Sequence, residues 1–278
     1  MADNRPIGVF DSGIGGLTVL REIIAAVPGE STIYFGDDGR SPYGTKSHET
    51  IIKYSLQDML FLKEQDVKMI VIACNTASTH AYETLASVCD VPVVEVVVPG
   101  ARAAVEATSN GRIGIIATRA TISSGVYESA VLKAGENIDG LKVISQACPL
   151  FVSLAEEGWW DNEVAYLTAC DYLKPLKEAG VDTVVLACTH YPLLAPVISR
   201  VMGPSVKLIN SGVAVAGVVK SILSENKIES DGKDVTRSFF TSDDPKLFEQ
   251  VAAPFLGRGL PSGTRRVQVD NIDVKGFL

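Results

Sequence analysis

Two stretches of the sequence, KEQDVKMIVIACNTAS at residues 63–78 and KEAGVDTVVLACTHYP at residues 177–192, follow one pattern. Each begins with polar residues, continues as an apolar β-like run, reaches a cysteine and then turns polar where a helix would start. The cysteines are Cys74 and Cys188, at an offset of 188 − 74 = 114 residues. Because apolar runs that alternate with helical patterns are typical of βα units, the pattern predicts that one such unit is duplicated.

The similarity extends beyond the two cysteines. The same offset aligns the apolar stretch from Pro92 (PVVEVVV) with the stretch from Val206 (VKLIN), since 206 − 92 = 114. A further pair joins IGVFD at residues 7–11 to IGIIA at residues 113–117, at the offset 113 − 7 = 106. These pairs indicate two related halves.

The alternation of apolar runs and helical segments along the chain predicts parallel sheets covered by helices. Helix starts are indicated at Ser47, followed by an amphipathic run to about residue 66, at Pro99, and at Pro192 before residues 193–202. We expect an α/β fold with two pseudo-symmetric domains, each a mainly parallel sheet flanked by helices, and a cleft between them. The predicted strands lie at residues 6–10, 32–35, 69–73, 91–98, 112–117, 142–145, 183–187, 206–209 and 235–241.

The composition excludes several classes of protein. With 278 residues and 46% hydrophobic residues, the chain can bury one large core or two moderate ones. Its net charge of −8 and its lack of a run of basic residues argue against direct binding of nucleic acid. The sequence contains neither an apolar run of about 18 residues nor a secretory leader pattern, so we expect a cytoplasmic protein without membrane contact.

The five cysteines, an odd number without a close pair, support neither a disulfide framework nor a zinc site. Reduced thiols fit a reducing compartment. The sequence therefore predicts no metal site.

Cys74 and Cys188 fall where parallel strands end and helices begin, which is where open α/β sheets bind ligands. Helix N-termini favour the thiolate, so we expect both thiol pKa values to be lowered. The polar residues that follow them, Asn75 and Thr76 in one half and Thr189 and His190 in the other, suit the binding of a carboxylate or amine. A single cysteine at a strand end is more often a small buried hydrophobic residue, but two in register favour chemistry.

Two hydroxyl- and glycine-rich turns face the same predicted edge. The loop DSGIGG, which begins with Asp11 and Ser12, suits a tight turn around a small anion but lacks the spacing of a nucleotide fingerprint. A plain turn capped by Asp11 remains an equal alternative. The second turn, TRATISS, supplies Thr118 and Thr121 as candidate ligand contacts, and SPYGT at residues 41–45 reads first as a turn. Its Tyr43 and Gly44 could close over a ligand.

Six motifs in order resemble the glutamate racemases of the aspartate/glutamate racemase family. They are DSGIGGLTV from Asp11, SPYGTKS from Ser41, ACNTAS from Ala73, PGARAA from Pro99, CPLFV from Cys148 and CTHYPLL from Cys188, and the match continues through FFTSDD. The resemblance implies a cofactor-independent racemase with its active site between two α/β domains. It also implies a discontinuous first domain, residues 1–98 plus 207–278, and a second domain of residues 99–206.

The resemblance further implies a role for each site residue. Cys74 would remove the α-proton of D-glutamate and Cys188 that of L-glutamate, because inversion needs an acid/base group on each face of the carbon. Asp11 would assist Cys74, and His190 would assist Cys188 with support from either Glu156 or Glu157. The remaining substrate contacts implied are Ser12, Tyr43, Gly44, Asn75, Thr76 and Thr189.

Three positions depart from the family pattern. Glu95 stands on an apolar strand where Gly is usual, and a buried carboxylate there needs a partner. Ala187 precedes Cys188 where Gly is usual, and Asn210 replaces a usual Asp. None of these changes removes a catalytic group, but they bear on substrate specificity and pocket geometry.

The sequence thus predicts racemisation of L-glutamate to D-glutamate for bacterial peptidoglycan, without a cofactor and in a homodimer. One alternative is a racemase of aspartate or another amino acid. A different alternative is a binding protein with weak racemase activity, because some members of the resembled family inhibit DNA gyrase by protein contact.

Overall fold

A computed structural model of the chain describes residues 2–260 and 263–277. Two parallel sheets of six and four strands, both flanked by helices, form the molecule. This architecture confirms the predicted α/β fold. Within the described ranges, no helix is both long and apolar enough to cross a membrane.

The first sheet has the strand order β10-β9-β2-β1-β3-β4. Its strands are β1 (Ile7–Asp11), β2 (Thr32–Gly36), β3 (Met69–Ile72), β4 (Val93–Glu95), β9 (Arg237–Thr241) and β10 (Arg265–Arg266).

The second sheet has the order β6-β5-β7-β8, so it repeats the arrangement β2-β1-β3-β4 of the first. Its strands are β5 (Arg112–Ala117), β6 (Lys142–Ala147), β7 (Thr183–Ala187) and β8 (Lys207–Asn210). The sequence pairs predicted this correspondence, since they match β1 with β5, β3 with β7 and β4 with β8.

Helices cover both sheets. They are α1 (Leu17–Ala26), α2 (His48–Glu64), α3 (Asn75–Val88), α4 (Val97–Ala107), α5 (Arg119–Ser123), α6 (Val126–Ala134), α7 (Leu150–Glu156), α8 (Glu163–Glu178), α9 (Ala195–Met202), α10 (Ser211–Glu225) and α11 (Pro245–Leu256). Three 3₁₀ turns lie at Asp38–Arg40, Tyr43–Thr45 and Tyr191–Leu194.

The central strands are buried on both faces, which explains why they read as continuous apolar runs. One hydrophobic cluster includes Val9 of β1, Val71 of β3 and Val184 of β7, so it spans both sheets. Each such buried side chain contributes about 1.5–3 kcal/mol of transfer free energy. The two halves therefore pack against each other through a shared core.

The predicted helix starts agree with the structure in two cases and shift in the third. The Ser47 hydroxyl accepts a hydrogen bond from the backbone N–H of Thr50 and caps α2. Pro99 lies in the first turn of α4. Pro192, however, belongs to the 3₁₀ turn Tyr191–Leu194, and the α-helix that follows starts at Ala195.

The predicted strand over residues 91–98 is too long. β4 ends at Glu95, because the Glu95 carboxylate accepts hydrogen bonds from the backbone N–H groups of Val97 and Val98 and caps α4. The partner that this buried carboxylate requires is thus the N-terminus of a helix.

One domain boundary predicted from the resemblance needs correction. The division placed residues 207–278 in the first domain, but β8 pairs with β7 in the second sheet. By strand pairing, the chain returns to the first half only after Asn210. β9 and β10 then join the first sheet beside β2. The rest of the predicted division stays a prediction.

Candidate active site

The site residues lie at the carboxyl ends of the central strands. Asp11 ends β1, Cys74 follows β3, Thr118 follows β5 and Cys188 follows β7. Parallel pairing brings these ends to one edge of each sheet. The duplicated strands therefore present one thiol from each half.

Both thiols line a single cavity of about 30 Å³. Cys74 and Cys188 are 5% and 6% exposed, so little of either sulfur meets solvent. The lining also includes Ser12, Ser41, Pro42, Tyr43, Gly44, Asn75, Thr76, Thr118, Val152, Ala187, Thr189 and His190. Ten of the predicted site residues are among these, and the other two, Asp11 and Thr121, are buried and hydrogen-bonded to lining residues.

A larger outer pocket of about 840 Å³ adjoins this cavity and shares Ser41, Gly44, Thr118 and Val152 with it. Glu156 also lines the outer pocket. The outer pocket is thus the side from which a small molecule would reach the two thiols.

Cys74 caps α3, because its sulfur accepts a hydrogen bond of 3.4 Å from the backbone N–H of Ala77. Its thiol donates to the Ser12 hydroxyl at 3.5 Å. Burial, and next the negative charge of Asp11, raise the pKa of this thiol to about 12. The predicted lowering of the Cys74 pKa is therefore wrong, because desolvation outweighs the effect of the helix terminus.

The Asp11 carboxylate is fully buried and accepts hydrogen bonds from the Gly13 backbone at 3.1 Å and the Thr189 hydroxyl at 3.4 Å. Burial raises its pKa to about 6, although the charge of His190 opposes that shift. Asp11 thus contacts the second half through Thr189 and acts on Cys74 through its charge.

His190 stands between Cys188 and Glu156. Its Nδ1 lies 3.9 Å from the Cys188 sulfur, and its Nε2 lies 2.9 Å from a Glu156 carboxylate oxygen. Burial lowers the pKa of His190, but the hydrogen bonds to Cys188 and Glu156 outweigh burial and raise it to about 10. Of the two glutamates left open by the sequence, Glu156 is the one that contacts His190.

Three hydroxyls from the two halves form a triangle beside the cavity. Thr76 lies 3.0 Å from Thr118 and 3.1 Å from Thr121, and Thr118 lies 3.0 Å from Thr121. The neighbouring Asn75 is buried, and its amide oxygen has no hydrogen-bond partner in the described structure. These groups can accept or donate hydrogen bonds to a polar ligand.

Gly15 lets the first loop approach the second half, a role that the sequence analysis missed. A Cβ atom at Gly15 would lie 2.3 Å from the Thr189 hydroxyl and 2.5 Å from His190 Nδ1. In the first turn of α1, the Thr18 hydroxyl donates to the Thr189 carbonyl at 2.8 Å. The adjacent glycines of GIGG were the available signal, because glycine permits such close contact.

A polar cluster behind Tyr43 was not predicted from the sequence. The Tyr43 ring is buried, and its hydroxyl contacts Asp37 and Asp58. Arg40 contacts the carboxyl groups of both aspartates. No motif spacing joins these residues, because Asp58 comes from the middle of α2.

The other two residues that depart from the family pattern, Ala187 and Asn210, both have a place in the structure. Ala187 lines the cavity without a polar group. Asn210 caps α10 by accepting a hydrogen bond of 2.9 Å from the Gly212 backbone. Among residues 2–260 and 263–277, no group of three or more His, Cys, Asp or Glu side chains is arranged to hold a metal ion.

Known proteins match this chain over nearly its whole length. A glutamate racemase from Geobacter metallireducens is 51% identical over 254 residues, which are 91% of this chain and 93% of that protein. The crystal structure of a glutamate racemase isoform from Bacillus anthracis superposes with a TM-score of 0.90 at 38% identity, covering 96% of this chain and 98% of that one. A glutamate racemase from Francisella tularensis, crystallised with D-glutamate, gives a TM-score of 0.89 at 38% identity over 97% and 100% of the two chains. The family model for Asp/Glu/Hydantoin racemase matches residues 7–219. By these matches, the chain belongs to the Asp/Glu/Hydantoin racemase family and is an amino-acid racemase.

Proposed function

We propose that the protein interconverts L-glutamate and D-glutamate, with Cys74 and Cys188 as the two acid/base groups. The observation that carries this proposal is that both thiols line one cavity from different halves of the molecule. Inversion at the α-carbon requires proton removal on one face and proton return on the other.

The proposed reaction begins with one thiolate and one thiol. With L-glutamate, the Cys188 thiolate takes the α-proton, the carbon–hydrogen bond breaks, and the electron pair stays on the substrate as a carbanion. The Cys74 thiol then donates its proton to the opposite face. The product is D-glutamate, and the two cysteines have exchanged protonation states until the reverse turnover or solvent restores them.

The surrounding side chains suit the charges of such a substrate. A ligand ammonium can donate to the unpaired Asn75 amide oxygen, and its positive charge would offset the effect of Asp11 on Cys74. The Thr76 and Thr118 hydroxyls now donate within their own triangle and can instead donate to a carboxylate. Such preorganised donors stabilise the charge that develops on the substrate during proton removal.

On the second side, His190 contacts Cys188. Its imidazole can donate a hydrogen bond to the sulfur or exchange a proton with it, and Glu156 favours the protonated imidazole. The Phe255 ring packs edge-on against His190, with ring centroids 5.4 Å apart, and helps to fix its orientation.

The proposal is tested by following the circular dichroism of L- and D-glutamate solutions with the wild type, Cys74→Ser and Cys188→Ser. We expect each variant to lose racemisation, while exchange of the α-proton with deuterated solvent persists from one enantiomer. Cys170→Ser, whose half-buried thiol lies outside the cavity, is the control. Wild-type racemisation by either cavity variant would contradict the two-thiol mechanism.

Glutamate is the proposed substrate because the similar proteins from Geobacter, Bacillus and Francisella are glutamate racemases. Turnover of L-aspartate measured beside L-glutamate decides between the predicted substrates, and faster turnover of aspartate would overturn this choice. The proposed role is the supply of D-glutamate for peptidoglycan in the cytoplasm of a bacterium, without a cofactor.

Homodimer formation and contact with DNA gyrase remain predictions. The gyrase-binding alternative depended on a weakened enzyme, but Glu95 and Asn210 both serve as helix caps and displace no cavity residue. We therefore favour the enzyme. Sedimentation measures the oligomeric state, and gyrase supercoiling with added protein measures the contact.

A further inference from the structure

A buried polar cluster supports the turn Tyr43–Thr45, whose first two residues line the cavity. The cluster, which we call the Tyr43 support, consists of Asp37, Arg40, Tyr43, Gln57 and Asp58. Asp37, Tyr43 and Asp58 are 0% exposed. None of these side chains except Tyr43 lines the cavity, so the cluster acts through Tyr43.

Arg40 contacts the two carboxyl groups unequally. Its Nε lies 2.9 Å and 2.7 Å from the two oxygens of Asp37, whereas its Nη2 contacts a single oxygen of Asp58 at 2.9 Å. Arg40 Nη1 donates to Gln57, and the guanidinium stacks on the Tyr54 ring with its carbon 4.1 Å from the ring centroid. The guanidinium is therefore fixed by contacts on several sides.

The Tyr43 hydroxyl lies within hydrogen-bond distance of two carboxyl oxygens, Oδ2 of Asp37 and Oδ2 of Asp58, the latter at 2.9 Å. A phenol has one proton and can donate to only one of them. The other contact is a hydrogen bond only if the carboxyl group itself donates. Both oxygens of Asp37 already accept from Arg40, while Oδ2 of Asp58 has no contact with Arg40.

We propose that Asp58 is a neutral carboxylic acid that donates to Tyr43 and, with Arg40 and Asp37, positions Tyr43 and Gly44 at the substrate cavity. The proton sequence runs from Asp58 to the Tyr43 oxygen and from the Tyr43 hydroxyl to ionised Asp37. The positive charge of Arg40 then balances the single negative charge of Asp37. A buried pair of ionised carboxylates with one guanidinium would instead leave an uncompensated charge.

The surroundings of Asp58 agree with a neutral acid. Burial, and next the charge of Asp37, raise the pKa of Asp58 well above its ordinary value. The charged or titratable groups that face it are Asp37, Arg40, Tyr43 and the more distant Asp11. The side chain of Asp270, which is largely exposed, contacts Arg40 at 3.3 Å.

The positioning role rests on the proposed function, since it assumes that the cavity binds the substrate. Gly44 lies where the two halves meet. A Cβ atom at Gly44 would lie 2.9 Å from Thr118 Cβ, so a small shift of the turn would change the width of the cavity. Gln57 extends the support, since its amide donates to the carbonyls of Asp270 and Ile272 at 3.2 Å and 2.9 Å. The C-terminal segment thus holds the turn from behind.

The proton assignment is tested by infrared difference spectroscopy of the wild type minus Asp58→Asn in D₂O at neutral pH. We expect the carbonyl-stretch band of a protonated carboxyl group in the wild type. A difference spectrum that shows only carboxylate bands would overturn the assignment. This readout does not depend on racemase activity, so it remains decisive even if the proposed function fails.

The positioning role is tested by steady-state kinetics of Asp58→Asn and Asp58→Ala with glutamate. An amide can donate to Tyr43 as the neutral acid does, so we expect Asp58→Asn to keep KM within about threefold of the wild type and Asp58→Ala to raise KM about tenfold. Equal impairment of both variants, or none in Asp58→Ala, would overturn the role. If Asp58→Ala does not fold, Tyr43→Phe, which removes the bridging hydroxyl alone, takes its place with the same expected rise in KM.

Discussion

The two cysteines have unlike neighbours, although duplicated strands present them. Cys74 lies beside the hydroxyl of Ser12 and the charge of Asp11, whereas Cys188 lies beside His190. An anionic neighbour disfavours a thiolate and a cationic neighbour favours it. The duplicated strands thus place Cys74 and Cys188 in unlike electrostatic surroundings.

Asp11→Asn is expected to raise stability at neutral pH and to lower kcat. Burial raises the pKa of Asp11 from 3.8 to about 6, so the folded state keeps a proton that the unfolded state loses between about pH 4 and pH 6. Stability falls across that interval by roughly 3 kcal/mol at most, and the loss persists at higher pH. Asparagine avoids this cost but lacks the charge that acts on the thiol and His190.

Thermal unfolding of the wild type and Asp11→Asn at pH 4 and pH 7.5 checks this prediction. The midpoint of the variant should exceed that of the wild type only at the higher pH, while kcat falls roughly tenfold or more. A variant that is less stable at both pH values would contradict the assigned cost of burial.

Glu156→Gln is expected to weaken the protonated state of His190. The pKa of His190 is raised from 6.5 to about 10, so the stability it contributes is complete below about pH 6.5 and is lost as pH rises toward 10. Without the Glu156 charge, the pKa of His190 should be lower. The loss of stability at alkaline pH and the alkaline limb of kcat/KM should then both move to lower pH. Because Glu156 is 44% exposed, the decrease in kcat/KM should be at most about fivefold.

The control is Glu157→Gln, which changes an adjacent glutamate that does not contact His190 in the described structure. The two enantiomers have equal free energies in water, so kcat/KM must fall equally for both in any variant. A shift of the alkaline limb in Glu157→Gln but not in Glu156→Gln would reverse the assignment.

At the level of elements, the turn before α1 and the turn after β7 interlock through Gly15. Gly15→Ala would place a methyl group 2.3 Å from the Thr189 hydroxyl and 2.5 Å from His190 Nδ1, so the two turns must separate. A displacement of about 1 Å at a reacting group costs roughly 100-fold in rate. We expect a loss of kcat of that order, measured with either enantiomer.

Gly217→Ala is the matched control, because Gly217 lies within α10 and a Cβ there meets no atom within 4 Å. It should raise the free energy of unfolding by up to about 1 kcal/mol, since alanine favours a helix. Full activity of Gly15→Ala would show that the interlocking of the two turns is not needed.

Glu95→Ala tests the cap that ends β4 and starts α4. Loss of a helix cap typically lowers the free energy of unfolding by about 0.5–2 kcal/mol, and we expect that range in urea denaturation. Glu106→Ala, an exposed change later in the same helix, should stay within about 0.5 kcal/mol of the wild type. Equal stabilities of the two variants would argue against the cap.

The same region shows what the sequence could and could not predict. Strands such as β3 and β7 were predictable because they are buried on both faces and read as apolar runs. The valines around Glu95 have the same preference for a strand. The backbone N–H groups of Val97 and Val98, however, donate to the Glu95 carboxylate, so the strand ends and a helix begins there. Likewise, the position of Cys74 was predictable from its strand, whereas its pKa depends on burial by residues distant in sequence.

At the scale of the whole molecule, the space between the two thiols is narrow. Its volume of about 30 Å³ is small beside the outer pocket of about 840 Å³ that it adjoins. The hydrogen bonds that join the two halves include Thr18 with Thr189 and Thr76 with Thr118. We therefore expect these contacts to lengthen, and the two halves to move apart, when glutamate binds.

A disulfide across the cavity edge tests this motion. Gly44 and Thr118 come from different halves, and a Cβ at Gly44 would lie 2.9 Å from Thr118 Cβ. A slight increase of this Cβ–Cβ distance brings it into the range of about 3.5–4.5 Å that a disulfide needs. In the double variant Gly44→Cys/Thr118→Cys, oxidation should hold the halves together and prevent glutamate binding, and reduction should restore turnover to the level of the never-oxidised variant. Comparing the oxidised and reduced forms of one protein removes the effect of the substitutions themselves, and the wild type oxidised and reduced in parallel accounts for damage to the catalytic thiols. Undiminished turnover with the disulfide formed would mean that glutamate enters without separation of the halves.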